Sequence, residues 1–270
     1  MEKKVVVITG ASSGIGKALA EVYASKNYQV VMAARNKAKL DQIAEEIQKS
    51  ASSEVFTIKT DVSIQKDCES LIDQTIAHFG QIDVLINNAG ISMRALFKDV
   101  DLEVIKKLMD VNFWGTVYCT KYAMPHLLKS KGTVVGVISI AGYIGLPARS
   151  GYGASKYAVR GFLDTLRVEN LHTGLNVLVV APGFTSSNIR NVALTADGSM
   201  QGETPRDETK MMSSEAVALK IFNAVKKKRK ELILTFIEGK FTVFLNKWAP
   251  RLMDKLAYNH MAKEPNSPLS

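Results

Sequence analysis

The sequence predicts an α/β protein: one doubly wound parallel sheet of about seven strands, helices on both faces, in a single domain. Three observations carry this. Short β-branched runs alternate with longer helical patterns along all 270 residues. The runs are apolar on successive residues, as strands buried on both faces are. Residues able to do chemistry fall at or just after the expected strand ends, where open sheets of this kind bind ligands. Right-handed crossovers between parallel strands then place helices above and below the sheet.

The first strand is expected at 4–9 (KVVVIT), followed by a glycine-rich turn with Gly10, Gly14 and Gly16 and a helix over 15–26. Strand, glycine turn and helix form the context a dinucleotide site requires. The glycines let the backbone approach a pyrophosphate, and the helix N-terminus offers unpaired N–H groups and its positive dipole end. The spacing here is G-x-x-x-G-x-G, and a plain strand-to-helix turn is the competing reading. The second strand, 28–34, ends at Arg35. An NAD site carries an acidic residue near this strand end for the ribose 2′-hydroxyl. Ala33 and Ala34 stand there instead, and the Arg35 guanidinium suits a 2′-phosphate. NADP is therefore expected, with NAD the lesser alternative; a solvated arginine opening a basic helix at 36–49 competes with both. Further strands are expected at 54–59, 82–87, 132–139, 175–181 and 231–236, with helices at 64–79, 101–129, 152–172 and 213–228.

Ser139, Tyr152 and Lys156 are the strongest chemical signal. Tyr152 and Lys156 stand at i and i+4, so a helix presents them on one face. An ammonium beside a phenol favours the phenolate and lowers its pKa from about 10, which suits proton transfer near neutral pH. A serine hydroxyl aimed at the same point can bond a carbonyl or alcohol oxygen. The triplet alone is weak, because a tyrosine and a lysine share a helix face by chance in many proteins.

It does not stand alone. The chain carries TGASSGIG at 9–16, Asp61-Val62 after the third strand, NNAG at 87–90, Asn112 in VNFWG, YGASK at 152–156 and PGF at 182–184. In this order and spacing it resembles the short-chain dehydrogenase/reductase family over residues 4 to about 235, in particular the hydroxysteroid and carbonyl-reducing members. The resemblance implies a Rossmann-type domain over 1–236 and an oxidoreductase moving a hydride between NADP(H) and a ketone or secondary alcohol. Tyr152 would be the general acid or base, Lys156 would lower its pKa and hold the ribose, and Ser139 would orient the substrate oxygen. Asn112 would stabilise a helix kink and a water leading to Lys156. The cofactor would meet Gly10, Ser12, Ser13, Gly14, Ile15, Gly16, Arg35, Asp61, Val62, Asn88, Ala89, Gly90, Pro182, Gly183, Thr185 and Ser187, besides Tyr152 and Lys156. Two departures stand out: Ser13 replaces a basic residue found in many members, and the run after Gly183 is Phe184-Thr185-Ser186-Ser187. The polar connection 185–212 reads as a substrate lid. Met93, Arg94, Tyr143, Leu146 and Phe184 are candidates for the substrate pocket, which favours an apolar ketone or alcohol. Arg94 suits a carboxylate or phosphate, although a water-facing side chain is the favoured reading.

Two alternatives remain: reduction of a β-ketoacyl thioester on an acyl carrier, and a regulatory protein that binds NADP without turnover. The long helices 101–129 and 152–172 imply, by the same resemblance, a homodimer or homotetramer. Residues 237–270 form a basic amphipathic extension of the domain. It is expected to cap its own cleft or pack on a partner subunit, with peripheral membrane contact through 240–260 the less favoured option. The net charge is +9, but the basic residues are dispersed and no nucleic-acid motif is present, so no nucleic-acid partner is expected. The four histidines lack ligand spacing, so no metal is expected. Cys68 and Cys119 read as unbridged core residues. The start of the chain leaves no room for a signal peptide, and a cytoplasmic location is expected.

Overall fold

The computed structural model describes residues 3–185, 189–202 and 211–269. Seven parallel strands form one sheet in the order β3-β2-β1-β4-β5-β6-β7. They are β1 (Val5–Thr9), β2 (Gln29–Ala34), β3 (Val55–Lys59), β4 (Val84–Asn87), β5 (Thr133–Val137), β6 (Asn176–Ala181) and β7 (Glu231–Ile233). The order reverses between β1 and β4, which opens a crevice at their carboxyl ends. β1 shows why the strands are apolar throughout: Val5 and Val7 join one core and Val6 and Ile8 the other.

Helices α1 (Gly14–Ser25) and α2 (Lys37–Ser50) pack on one face, and α3 (Gln65–Phe79) on the other. The helix expected over 101–129 is three segments. α4 (Leu102–Leu108) runs into a π-helical turn, Met109–Trp114, and then into α5 (Gly115–Ser130). The interruption falls where the Asn112 side chain leaves the helix to bond elsewhere, a common cause of π-turns at functional positions. α6 (Ser150–Glu169) and α7 (Ser214–Lys226) complete the layers, the latter capped by Ser213, whose hydroxyl accepts from Ala216 N–H at 3.2 Å. β7 stops at Ile233, short of the expected 236, because Thr235 takes a φ of 65°.

After a second π-helical turn, Phe236–Phe241, the chain ends in α8 (Thr242–Trp248) and α9 (Pro250–Ala262). Met253 and Ala257 of α9 are buried in the α3/α5/α6 core, and Asn246 Nδ2 donates to Tyr143 O at 3.1 Å. The outer side leaves Phe244, Trp248, Leu252 and Tyr258 exposed. Among the described residues no helix is long and apolar enough to cross a membrane. Cys68 and Cys119 are free, buried and adjacent, and hydrogen bonding between them, with burial, pushes the Cys119 thiol well up.

Candidate active site

A cleft of about 960 Å³ runs along the carboxyl ends of β1, β2 and β4. Its floor is the glycine turn. Gly10 has a φ of 67°, and a Cβ on it would lie 2.8 Å from Ala89 Cα. A Cβ on Gly16 would collide with the Gly10 carbonyl oxygen. Both glycines are thus required by close backbone approach. Ser13 precedes α1 in extended backbone without a side-chain cap, so the first-turn N–H groups of α1 are left for another acceptor. This donor set fits a pyrophosphate.

The turn is stitched to β4 by a residue the motif reading passed over. Thr9 Oγ1, buried, accepts from the N–H groups of Asn88 and Ala89 at 3.1 Å each. The Asn88 amide returns two bonds, to Thr9 O at 3.0 Å and Gly10 O at 3.3 Å. Ser12, Gly14, Ile15, Asp61, Val62, Ala89 and Gly90 also line the cleft, and Asp61 Oδ1 accepts from Ser63 N and Oγ. At the far rim Arg35 is exposed and makes no hydrogen bond or ion pair among the described residues, with Lys37, Lys39 and Lys59 beside it.

Deeper in, Asn112 is a clamp. Its Oδ1 accepts from Ile91 N at 2.8 Å, and its Nδ2 donates to Ile91 O at 3.0 Å and Ser155 Oγ at 2.9 Å. Ser155 Oγ in turn donates to Tyr152 O at 2.8 Å. The segment after Gly90 is thereby tied to the helix that carries Tyr152 and Lys156. A Cβ on Gly90 would stand 3.1 Å from Asn112 Oδ1 and 3.3 Å from Lys156 Nζ.

Tyr152 and Lys156 share a face of α6, with Lys156 Nζ 5.8 Å from the Tyr152 ring centroid. The Lys156 ammonium is buried and donates to Val137 O at 3.1 Å. Burial pushes its pKa down to about 8. Tyr152 departs from expectation. Its pKa is raised, because desolvation of the buried phenol outweighs a hydrogen bond to Ser139 and the nearby Arg149 charge, both of which lower it. Arg149 is another residue unread in the sequence. It is anchored by Ser92 Oγ at 3.0 Å and by Met93 O. Ser139 lies in extended backbone at the end of β5, accepting from Ala141 N at 3.2 Å.

The candidates for the substrate side divide. Met93 packs with Leu194 and Tyr152 in a small apolar cluster, and the Leu194 N–H bonds Ser92 O, pinning the segment around Leu194 beside it. Phe184 faces His260 with ring centroids 6.1 Å apart. Leu146 is half-buried against the α3/α5/α6 core. Tyr143 is engaged elsewhere: its hydroxyl donates to Glu231 at 2.6 Å and Arg160 lies 3.8 Å over its ring. Arg94 does not face water. It is buried against Glu264 and Pro265 of the C-terminal tail. Thr185 is buried behind Pro182 and Gly183, while Ser187 lies outside the described residues.

A profile of the short chain dehydrogenase family matches residues 4–197. The chain belongs to the short-chain dehydrogenase/reductase family. It is 36% identical over 273 residues to "Dehydrogenase/reductase SDR family member 7B" of Rattus norvegicus, covering 99% of this chain and 84% of that protein. It is 45% identical over 188 residues to "11-beta-hydroxysteroid dehydrogenase-like 3" of Arabidopsis thaliana, covering 69% of this chain and 60% of that one. An alcohol dehydrogenase from Thermococcus sibiricus, solved with 5-hydroxy-NADP, superposes with a TM-score of 0.76 at 26% identity, over 86% of this chain and 96% of the other. This short-chain dehydrogenase/reductase is accordingly an oxidoreductase of the NAD(P)-dependent kind. Its Rossmann-like sheet and its glycine cradle both fit a dinucleotide.

Proposed function

We propose that the enzyme reduces a mainly apolar ketone, or oxidises the matching secondary alcohol, using NADP(H). The observation that carries this is the convergence of Ser139, Tyr152 and Lys156 beside Gly90, tied together through Asn112. Bound NADPH supplies the hydride. The residues of the chain handle the proton. A phenol whose pKa is raised by burial stays protonated at neutral pH, as a donor to a ketone oxygen must be. As Tyr152 Oη gives up its proton, the phenolate forms near the buried Lys156 ammonium, which offsets its charge in a medium of low dielectric. Ser139, on the same hydroxyl, positions the substrate oxygen. Met93 and Leu194 exclude water beside Tyr152.

NADP over NAD rests on the rim of the cleft. Arg35, Lys39 and Lys59 form a cationic edge at the end of β2, where a 2′-phosphate would lie. The exposed Trp114 and Tyr157, at the α5/α6 layer, support association of subunits through that face. Tyr152→Phe tests the proton assignment. NADPH affinity should stay within a few-fold while kcat falls by about 10²–10⁴. A variant retaining most of its kcat would remove Tyr152 from the mechanism.

A further inference from the structure

We infer that Arg94 is an anion-recognising residue of the substrate chamber, and that Glu264 of the C-terminal tail holds its place until an acidic substrate arrives. The substrate class is then a lipophilic ketone or alcohol bearing a carboxylate or phosphate. This deepens the function proposed above and rests on it for the reacting end of the molecule.

The geometry is that of an incompletely satisfied cation. The Arg94 side chain is 7% exposed, as is that of Glu264. A guanidinium offers five N–H donors in a planar fork suited to bidentate bonding. Here one nitrogen, Nη2, contacts both Glu264 Oε2 at 3.3 Å and Pro265 O at 3.1 Å. Arg94 Nε is buried and has no hydrogen-bond partner among the described residues. The ion pair is therefore long and single-pronged, and it leaves Nε as an unfavourable buried donor. A pair of this quality is a poor device for stability, since apolar side chains of similar volume would hold the tail at least as well. It is a good device for exchange: an incoming oxyanion can take the fork that Glu264 uses only in part.

Its position puts it within reach of the chemistry. Arg94 follows Met93, whose sulfur would lie 3.2 Å from a Cβ on Gly151, next to Tyr152. It comes four residues after Gly90, which abuts Lys156, so the chain limits the distance between the Gly90 and Arg94 α-carbons to about 14 Å. Glu264 follows His260 by four residues, and His260 faces Phe184. One short stretch of tail thus meets both Arg94 and Phe184, and its contact with Arg94 is ionic. An acid set back from the carbonyl by that order of distance reaches Arg94 while its carbonyl meets Tyr152.

The test uses decanoate, decyl phosphate and decanol as probes, their binding to the full chain measured by calorimetry with NADPH present. The acids should bind at least about tenfold tighter than the alcohol, about 1.4 kcal/mol. The tighter of the two acids identifies the head group. Arg94→Met should bring the acid-to-alcohol ratio close to one, and Glu264→Gln should raise acid affinity three- to tenfold by removing the competing carboxylate. Equal loss of acid and alcohol binding in Arg94→Met, no preference for acids in the natural chain, or weaker acid binding in Glu264→Gln would each overturn the inference. NADPH-dependent reduction of 2-decanone is followed separately. Its failure would tell against the proposed reaction and leave the binding ratios to decide the role of Arg94.

Discussion

The two ends of the cleft are built by different means. At the cofactor end, Thr9, Gly10, Asn88 and Ala89 lock neighbouring strand ends together through backbone groups and short side chains, all placed by the register of the sheet. On the side proposed for substrate, Arg94 is met by Glu264, 170 residues further along, and Phe184 by His260 of the same tail. The first arrangement has no alternative partners, because its bonds are consumed within the fold. The second includes an ion pair at 3.3 Å, a hydrogen bond from Arg94 to Pro265 O and a ring contact, made by side chains that can exchange partners. A dinucleotide shared by a whole family calls for the rigid end, and the substrate reading proposed above assigns the exchangeable end to what differs between members.

The contrast can be broken at the rigid end first. Thr9→Val keeps the shape but removes the acceptor of two part-buried N–H groups, and should cost about 1–3 kcal/mol in urea unfolding with an unchanged m-value. A loss below about 0.5 kcal/mol would show that the stitching is not what stabilises this end. Lys156, where the two ends meet, should give an effect of opposite sign. Its pKa is about 8 when folded and 10.5 ordinarily. The unfolded chain therefore binds the extra proton between those values, and stability rises with pH across that window. Lys156→Met should be more stable than the natural chain by about 3 kcal/mol at pH 7 and by about 1.4 kcal/mol at pH 9.5. A difference that does not shrink with pH would place its origin in packing. The smallest effect is at the rim: Arg35→Ser should lower the NADPH-to-NADH ratio of kcat/KM by about tenfold, equivalent to ~1.4 kcal/mol. An unchanged ratio would move the preference to Lys39 and Lys59.

The same division governs what could be read from the sequence. The sheet was legible because each strand is an apolar run between helical patterns, and most boundaries agree within a residue or two. The Gly10–Gly16 turn, NNAG and the Tyr152–Lys156 pair were legible because their chemistry depends on local spacing. The π-turn at 109–114 was not, since MDVNFW continues a helical pattern and only the bonds from Asn112 to Ile91 and Ser155 show why it breaks. The direction of the Tyr152 shift was misread because spacing reveals the neighbouring cation but not the depth of burial, and burial dominates. Glu264 left no trace at all. One glutamate in a charged tail becomes informative only when the fold brings it to Arg94.

The separation between Arg94 and Glu264 also orders events during synthesis. At about 5–20 residues per second, a ribosome needs roughly 10–35 s to travel from one to the other. Throughout that interval the strands that cradle the dinucleotide are already made, while the guanidinium waits without its intramolecular counter-ion. The strand ends that line the glycine cradle are thus synthesised well before the tail that meets Arg94.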